Sequence, residues 1–228
     1  MDTSKVAAVV GAGPGLGAAL ARRFAREGYA VGLFARSESS LLPVQQALTK
    51  TGARAGIYPA DATDAASLAS AFTRLRQELG EPQVCIYNAG AFAMAGLLEL
   101  TPEQFESSWR IGCMGAFHTA REVVPAMLAR GRGTLLFTGA TASLRGGARF
   151  AAFAVGKFGL RALAQSLARE MGPRGIHVAH VIIDGTIGHE ASTMLSPDAI
   201  AETYWQLHRQ EPSAWTQELD LRPATEKF

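Results

Sequence analysis

The chain has 228 residues, 48% of them apolar and 18% charged. That is enough for one α/β domain with a full core, and too apolar for a disordered chain. A formal net charge of +2, with no run of Lys or Arg, argues against a nucleic-acid binder built on a basic stripe.

Apolar runs and amphipathic stretches alternate along the chain. Val6 to Val10 reads as a strand that stops at a glycine cluster. Gly17 to Glu27 reads as a helix, with Leu20 and Phe24 on one face, Arg22, Arg23 and Arg26 on the other, and Gly28 closing it. A strand follows over Ala30–Ala35, a helix over Ser40–Lys50, a strand over Ala55–Ala60 and a helix over Ala65–Leu79. The next strand is Val84–Tyr87. Thr101, with Pro102 at a first-turn position, opens a helix expected to run on to Arg130 through Gly112 and Gly115. Gly133–Thr138 is the fifth strand, and Phe150–Met171 a long Ala-rich helix ended by Gly172-Pro173. Ile176–Ile183 is the sixth strand, Pro197–Gln210 a candidate helix, and Trp215–Leu221 a candidate last edge strand. Strands apolar throughout, each followed by a helix, imply a single α/β domain over residues 1–228: a doubly wound parallel sheet with helices on both faces.

Other classes of protein find no support. No uncharged apolar stretch reaches the roughly 18 residues of a membrane span. The chain enters its first strand without the pattern of a secretory leader. Its two cysteines, Cys85 and Cys113, are too few for a disulfide framework and fit a reducing compartment. The expectation is a cytoplasmic protein with no metal centre, since no His/Cys/Asp cluster has ligand spacing.

Gly11-Ala12-Gly13-Pro14-Gly15-Leu16-Gly17 lies between the first strand and the first helix. The G-x-G-x-x-G fingerprint would need Gly at position 16, where Leu16 stands. The looser G-x-x-x-G-x-G spacing is met by Gly11, Gly15 and Gly17. Glycine suits such a loop because the backbone must approach a pyrophosphate closely, and free amides at the helix N-terminus then hold the anion. An ordinary tight turn would also be glycine-rich. The setting, strand then loop then helix, points to a dinucleotide. The second strand ends in Ala35-Arg36-Ser37, with no carboxylate to take the ribose hydroxyls of NAD. Arg36, with Ser37 as an added donor, suits a 2′-phosphate, so NADP(H) is expected over NAD(H).

With these residues in hand, the chain resembles the short-chain dehydrogenase/reductase family over about residues 5 to 190, which implies a Rossmann-type fold. Asp61, followed by Ala62, matches the family's adenine-contacting position. Asn88-Ala89-Gly90 matches the motif that borders the cofactor, and Lys157 the catalytic lysine. Asp184-Gly185-Thr186-Ile187 takes the place of the loop that contacts the nicotinamide. The resemblance also implies a variable substrate lid over about 185–212, and a homodimer or homotetramer built on the helices at 104–130 and 150–171.

The departures from the family lie in its catalytic set. The family places Tyr four residues before the Lys and Ser thirteen residues before the Tyr. Here those positions hold Phe153 and Ala140. The position matching the family's catalytic Asn is Gly112. The chain is similar to subgroups with Phe at the Tyr position and a strand end like Phe137-Thr138-Gly139-Ala140-Thr141. Phe153 cannot give the proton that carbonyl reduction requires, whereas Lys157 can still bind the nicotinamide ribose. With only four Lys in the chain, that one at a matched position counts. Thr138, Thr141 and Ser143 lie near the expected site. Tyr204 and His208, four apart in the lid region, and His189 are further donors, although packing or solvated roles suit each as well. Trp205 is expected to pack, and His118, His177 and His180 to be structural. The expected activity is hydride exchange between NADP(H) and a small carbonyl or alcohol, or an activated double bond. A cofactor-binding sensor or scaffold without turnover is the rival.

Overall fold

The computed structural model describes residues 5–189 and 193–225. Seven strands form one sheet: β1 Val6–Val10, β2 Ala30–Ala35, β3 Ala55–Pro59, β4 Val84–Tyr87, β5 Gly133–Thr138, β6 Ile176–Ile183 and β7 Glu218–Leu221. All six pairings are parallel, in the order β3-β2-β1-β4-β5-β6-β7. The helices are α1 Leu16–Arg26, α2 Glu38–Thr49, α3 Ala65–Glu78, α4 Pro102–Trp109, α5 Gly115–Ala129, α6 Ala151–Met171 and α7 Pro197–His208.

Each strand feeds both faces, because side chains alternate along it. Val6, Ala8 and Val10 of β1 pack into the layer that holds Phe72, Val123 and Leu160 of α3, α5 and α6. Ala7 and Val9 pack into the opposite layer with Leu20, Leu41 and Tyr204 of α1, α2 and α7. The expected doubly wound α/β sheet, covered on both faces, is what the chain forms. Its strand order reverses between β1 and β4, and at such a reversal the loops at the carboxyl ends of the strands diverge and open a crevice.

Two local differences from the sequence reading have physical causes. The expected last strand shortens to Glu218–Leu221 because Trp215 stacks on His177 at 4.9 Å and donates Nε1–H to the Gln210 carbonyl, while the Thr216 amide bonds the Gln210 side chain. The helix opened by Thr101 does run on to Ala129, with the capping box of Thr101 and Gln104 at its start, but it passes through a π-helical turn at Arg110–Met114. There it crosses α6 closely. A Cβ on Gly112 would lie 3.1 Å from Gly156 Cα, and one on Gly156 would lie 2.9 Å from the Ser108 carbonyl oxygen. Small residues at this crossing let the two backbones meet.

Candidate active site and coenzyme cleft

Two adjoining cavities open where the strand order reverses, and both are lined by Asn88 and Gly90. The smaller, about 310 Å³, is lined by Gly11, Gly13, Ala35, Arg36, Asp61, Ala62 and Ala89, among others. The larger, about 800 Å³, is lined by Leu16, Thr138, Ala140, Phe153, Lys157, Gly185 and Ile187, among others.

The glycine loop has the shape a dinucleotide needs. Gly11 holds φ +95°, and a Cβ there would sit 2.5 Å from the Ala89 amide nitrogen, so no other residue fits. The Asn88 side-chain amide donates to the Gly11 carbonyl at 2.9 Å, tying the first loop to the fourth. A Cβ on Gly17 would lie 2.3 Å from the Gly11 carbonyl oxygen, which is how closely α1 packs on the loop. Gly13 and Gly15 face open space. No side chain caps α1; the Ala18 amide donates to the Gly13 carbonyl and the Ala19 amide to the Gly15 carbonyl, and the Leu16 and Gly17 amides at its start suit an anion. These residues fit a dinucleotide phosphate.

At the far end of the smaller cavity Arg36 is exposed. The carboxylate of Asp61 is held below the usual range, first by the Thr63 amide at 2.8 Å, with Arg36 contributing positive charge. Ser37 is the residue before α2, and its hydroxyl lies 2.6 Å from that of Ser39. It does not line either cavity.

At the other end, α6 projects Phe153 and Lys157, one turn apart, into the larger cavity. Lys157 is buried, and its ammonium donates to the Thr138 carbonyl at 2.7 Å and lies 5.8 Å from the Phe153 ring centroid. Burial pulls its pKa down to about 8. The Thr138 hydroxyl is paired with the Tyr204 hydroxyl at 2.8 Å. Ala140 brings only a methyl group, and its amide donates to Ser143 Oγ.

Asp184 is placed less directly than its neighbours. Its carboxylate turns away from the cavity to accept from Thr141 and to pair with Arg222 at 3.1 Å. Gly185, Thr186 and Ile187 supply the lining instead. In the expected lid segment, α7 packs on α1. Arg22 pairs with Asp198, Arg23 with Glu202, and the Trp205 ring meets Phe24 edge-on at 5.4 Å. Tyr204 is buried in the core. His208 bonds Tyr29 and Thr134, and burial takes its pKa down to about 4. His189 is exposed. His180 lies between Ser143 and Glu218. Sequence reasoning missed Phe92, Phe150 and Arg145, which also line the larger cavity. They sit in loops and at a helix edge, where apolar periodicity gives no signal.

The fold and the cleft together define a dinucleotide-binding α/β protein of the doubly wound class. The family model for short chain dehydrogenases matches residues 5–199, so the chain belongs to the short-chain dehydrogenase/reductase family of oxidoreductases. It is 30% identical over 194 residues to the 3-oxoacyl-(acyl-carrier-protein) reductase FabG of Escherichia coli, covering 85% of this chain and 78% of that protein. A short-chain dehydrogenase structure from Rhodopseudomonas palustris superposes with TM-score 0.88 at 42% identity, over 96% of this chain and 98% of that one. An alcohol dehydrogenase from the archaeon Thermococcus sibiricus, complexed with 5-hydroxy-NADP, superposes with TM-score 0.90 at 26% identity, over 98% of both chains.

Proposed function

We propose that the protein is an NADP(H)-dependent oxidoreductase that passes hydride between the coenzyme and a small apolar carbonyl or alcohol, or an activated double bond, in a site that works without tyrosine. The observation that carries this is the run of paired cavities from Arg36, past Gly11 and Asn88, to Lys157 and Phe153. Coenzyme chemistry would be hydride donation or acceptance at the nicotinamide. Gly11, Gly13, Gly15 and the α1 amides would hold the pyrophosphate, and Arg36 the 2′-phosphate. Lys157 would hold the ribose hydroxyls. The NADP derivative bound to the Thermococcus sibiricus relative supports the coenzyme class.

Phe153 and Ala140 leave the substrate oxygen without the tyrosine and serine donors of the wider family. A missing donor of this kind raises a barrier by about 3–4 kcal/mol. The proton then comes from water or from a loop residue. Paired helices α4 to α6 leave Phe117, Val155 and Phe158 about 40% exposed, which supports the expected homodimer or homotetramer.

The test is a calorimetric titration with NADPH and NADH, on the parent protein and on Arg36→Ala. Tighter NADPH binding that the substitution abolishes is expected, and equal affinity for both coenzymes removes the assignment. A second reading, a coenzyme-binding sensor or scaffold without turnover, draws on Phe153, Ala140 and Gly112 together, the last packed tightly against Gly156. Tight NADPH binding with no consumption across ketones, aldehydes, enones and quinones would favour it.

A further inference from the structure

Three phenylalanine rings from two segments line the larger cavity. Phe92 follows β4, while Phe150 and Phe153 stand at the start of α6. The Phe92 ring centroid lies 5.7 Å from that of Phe150 and 5.5 Å from that of Phe153, with planes inclined at 64° and 59°. These separations are those of interacting aromatic pairs. The cluster is tied in place. The Ala95 amide donates to the Arg149 carbonyl at 2.9 Å, and the Arg149 guanidinium meets Glu99 at 3.2 Å. Phe92 is nevertheless 72% exposed. A ring so exposed at a cavity, yet held in position, gains by burial against a ligand.

The polar lining limits what can be reduced there. Among the described lining residues, the only side chains with ionisable protons are Lys157 and Arg145. Lys157 gives one of its three N–H donors to the Thr138 carbonyl, and an Arg keeps its proton throughout the working range of pH. Of the three lining threonines, Thr138 and Thr141 have their hydroxyls engaged by Tyr204 and Asp184, and Thr186 adds a hydroxyl that is no acid near neutral pH. Hydride addition to an isolated ketone leaves an alkoxide about as basic as hydroxide, far too basic to form near neutral pH without an acid beside it. Hydride addition to a quinone leaves a phenolate, whose conjugate acid has a pKa of about 10. The second product forms without a strong acid beside it, and the first does not.

We infer that the Phe92–Phe150–Phe153 wall selects a planar conjugated carbonyl acceptor of the quinone class, an inference that rests on the coenzyme assignment above. The electrons balance with a reduced nicotinamide as donor. Its C–H bond breaks with the electron pair, and an O–H bond forms on one quinone oxygen as the ring becomes aromatic. The other oxygen, now a phenolate, takes a proton from water. The chain contributes aromatic faces that hold the acceptor flat, and a fixed ammonium at Lys157 whose field favours the developing anion.

The test compares duroquinone, whose methyl groups block addition by thiols, with menthone, a saturated ketone of equal carbon count. Calorimetry on the coenzyme-free protein and on the protein with NADP⁺ reads binding without turnover. Duroquinone is expected to bind about tenfold more tightly than menthone. Phe153→Leu and Phe92→Leu should each weaken duroquinone about three- to tenfold and leave menthone unchanged. The exposed ring of Phe92 lies outside the core, so that variant tests the wall without unfolding the protein. With NADPH, duroquinone should be consumed at least about a hundredfold faster than menthone, the scale of one missing proton donor. Equal binding of the two compounds, indifference to both leucine substitutions, or menthone reduced as fast as duroquinone would each overturn the inference. NADPH uptake in the same titrations separates the two claims. No uptake removes the coenzyme assignment, whereas uptake with acceptor binding that ignores the rings overturns only the acceptor class.

Discussion

The two ends of the cleft differ in what they keep. At the β1–β2 end the backbone does the work. Gly13 and the uncapped start of α1 offer amides, the Gly11 amide bonds the Phe34 carbonyl, and Asn88 braces the loop through the Gly11 carbonyl. At the β5–α6 end side chains would do the work, and there Phe153 and Ala140 line the cavity without a hydroxyl. A backbone grip cannot be lost by a single side-chain change without disturbing the fold, because Gly11 and Gly17 are also packing positions. A proton donor can be lost with no structural cost. The contrast teaches that, on the proposed reading, coenzyme binding and turnover would rest on different ends of the cleft.

The sharpest way to break the contrast is to restore the acid. Phe153→Tyr combined with Ala140→Ser should raise menthone reduction about 10²- to 10⁴-fold, measured as NADPH consumption. No gain would mean that the β5–α6 end has lost its geometry as well as its hydroxyls. At the other end, Gly11→Val forces a β-branched residue to φ +95° and drives its Cβ into the Ala89 amide. A loss of about 3 kcal/mol or more in denaturant unfolding, together with loss of NADPH binding, is expected.

Lys157 links the two ends, and its titration gives a signed prediction. Burial lowers its pKa from 10.5 to about 8. Between those values the unfolded chain holds a proton that the folded protein has released, so stability rises with pH through that window. Below about pH 8 the burial cost is at full size. Lys157→Met should therefore be more stable than the parent near neutral pH, by on the order of 2–3 kcal/mol after the lost hydrogen bond to Thr138. The gain should narrow as pH climbs toward 10.5. A gain independent of pH would show that the folded protein holds the Lys157 proton as tightly as the unfolded chain does, so that burial has not lowered its pKa. The smallest effect is expected at Arg36, which is exposed. Arg36→Ala should cost NADPH about 1.5–3 kcal/mol of binding, read by calorimetry, and leave NADH nearly unchanged.

Much of the fold was legible because each strand is a short apolar run and each helix carries a face, so the alternation from β1 to β6 follows from periodicity alone. The glycine loop, Arg36 and Lys157 were legible for a related reason, since their residue types are chemically unusual where they stand. Phe92, Phe150 and Arg145 were not. They reach the cavity through loop contacts such as Ala95 to Arg149, and nothing in local spacing announces that two loops will meet. The last strand was read too long because Trp215 alternates like a strand residue and is extended, while its stacking on His177 and its bond back to Gln210 keep it outside the sheet ladder.

The sequence by itself determined the doubly wound sheet, the position of the glycine turn between β1 and α1, and the presence of phenylalanine and alanine at positions 153 and 140. Those are properties of residue type and order, which short-range sterics and burial convert directly into structure. Tertiary structure alone decided that Gly112 serves a helix crossing, that Asp184 turns inward to Arg222, and that three phenylalanine rings converge on one cavity. Each depends on segments distant in the chain being brought within van der Waals reach, and only packing of the whole sheet and its helices sets those distances.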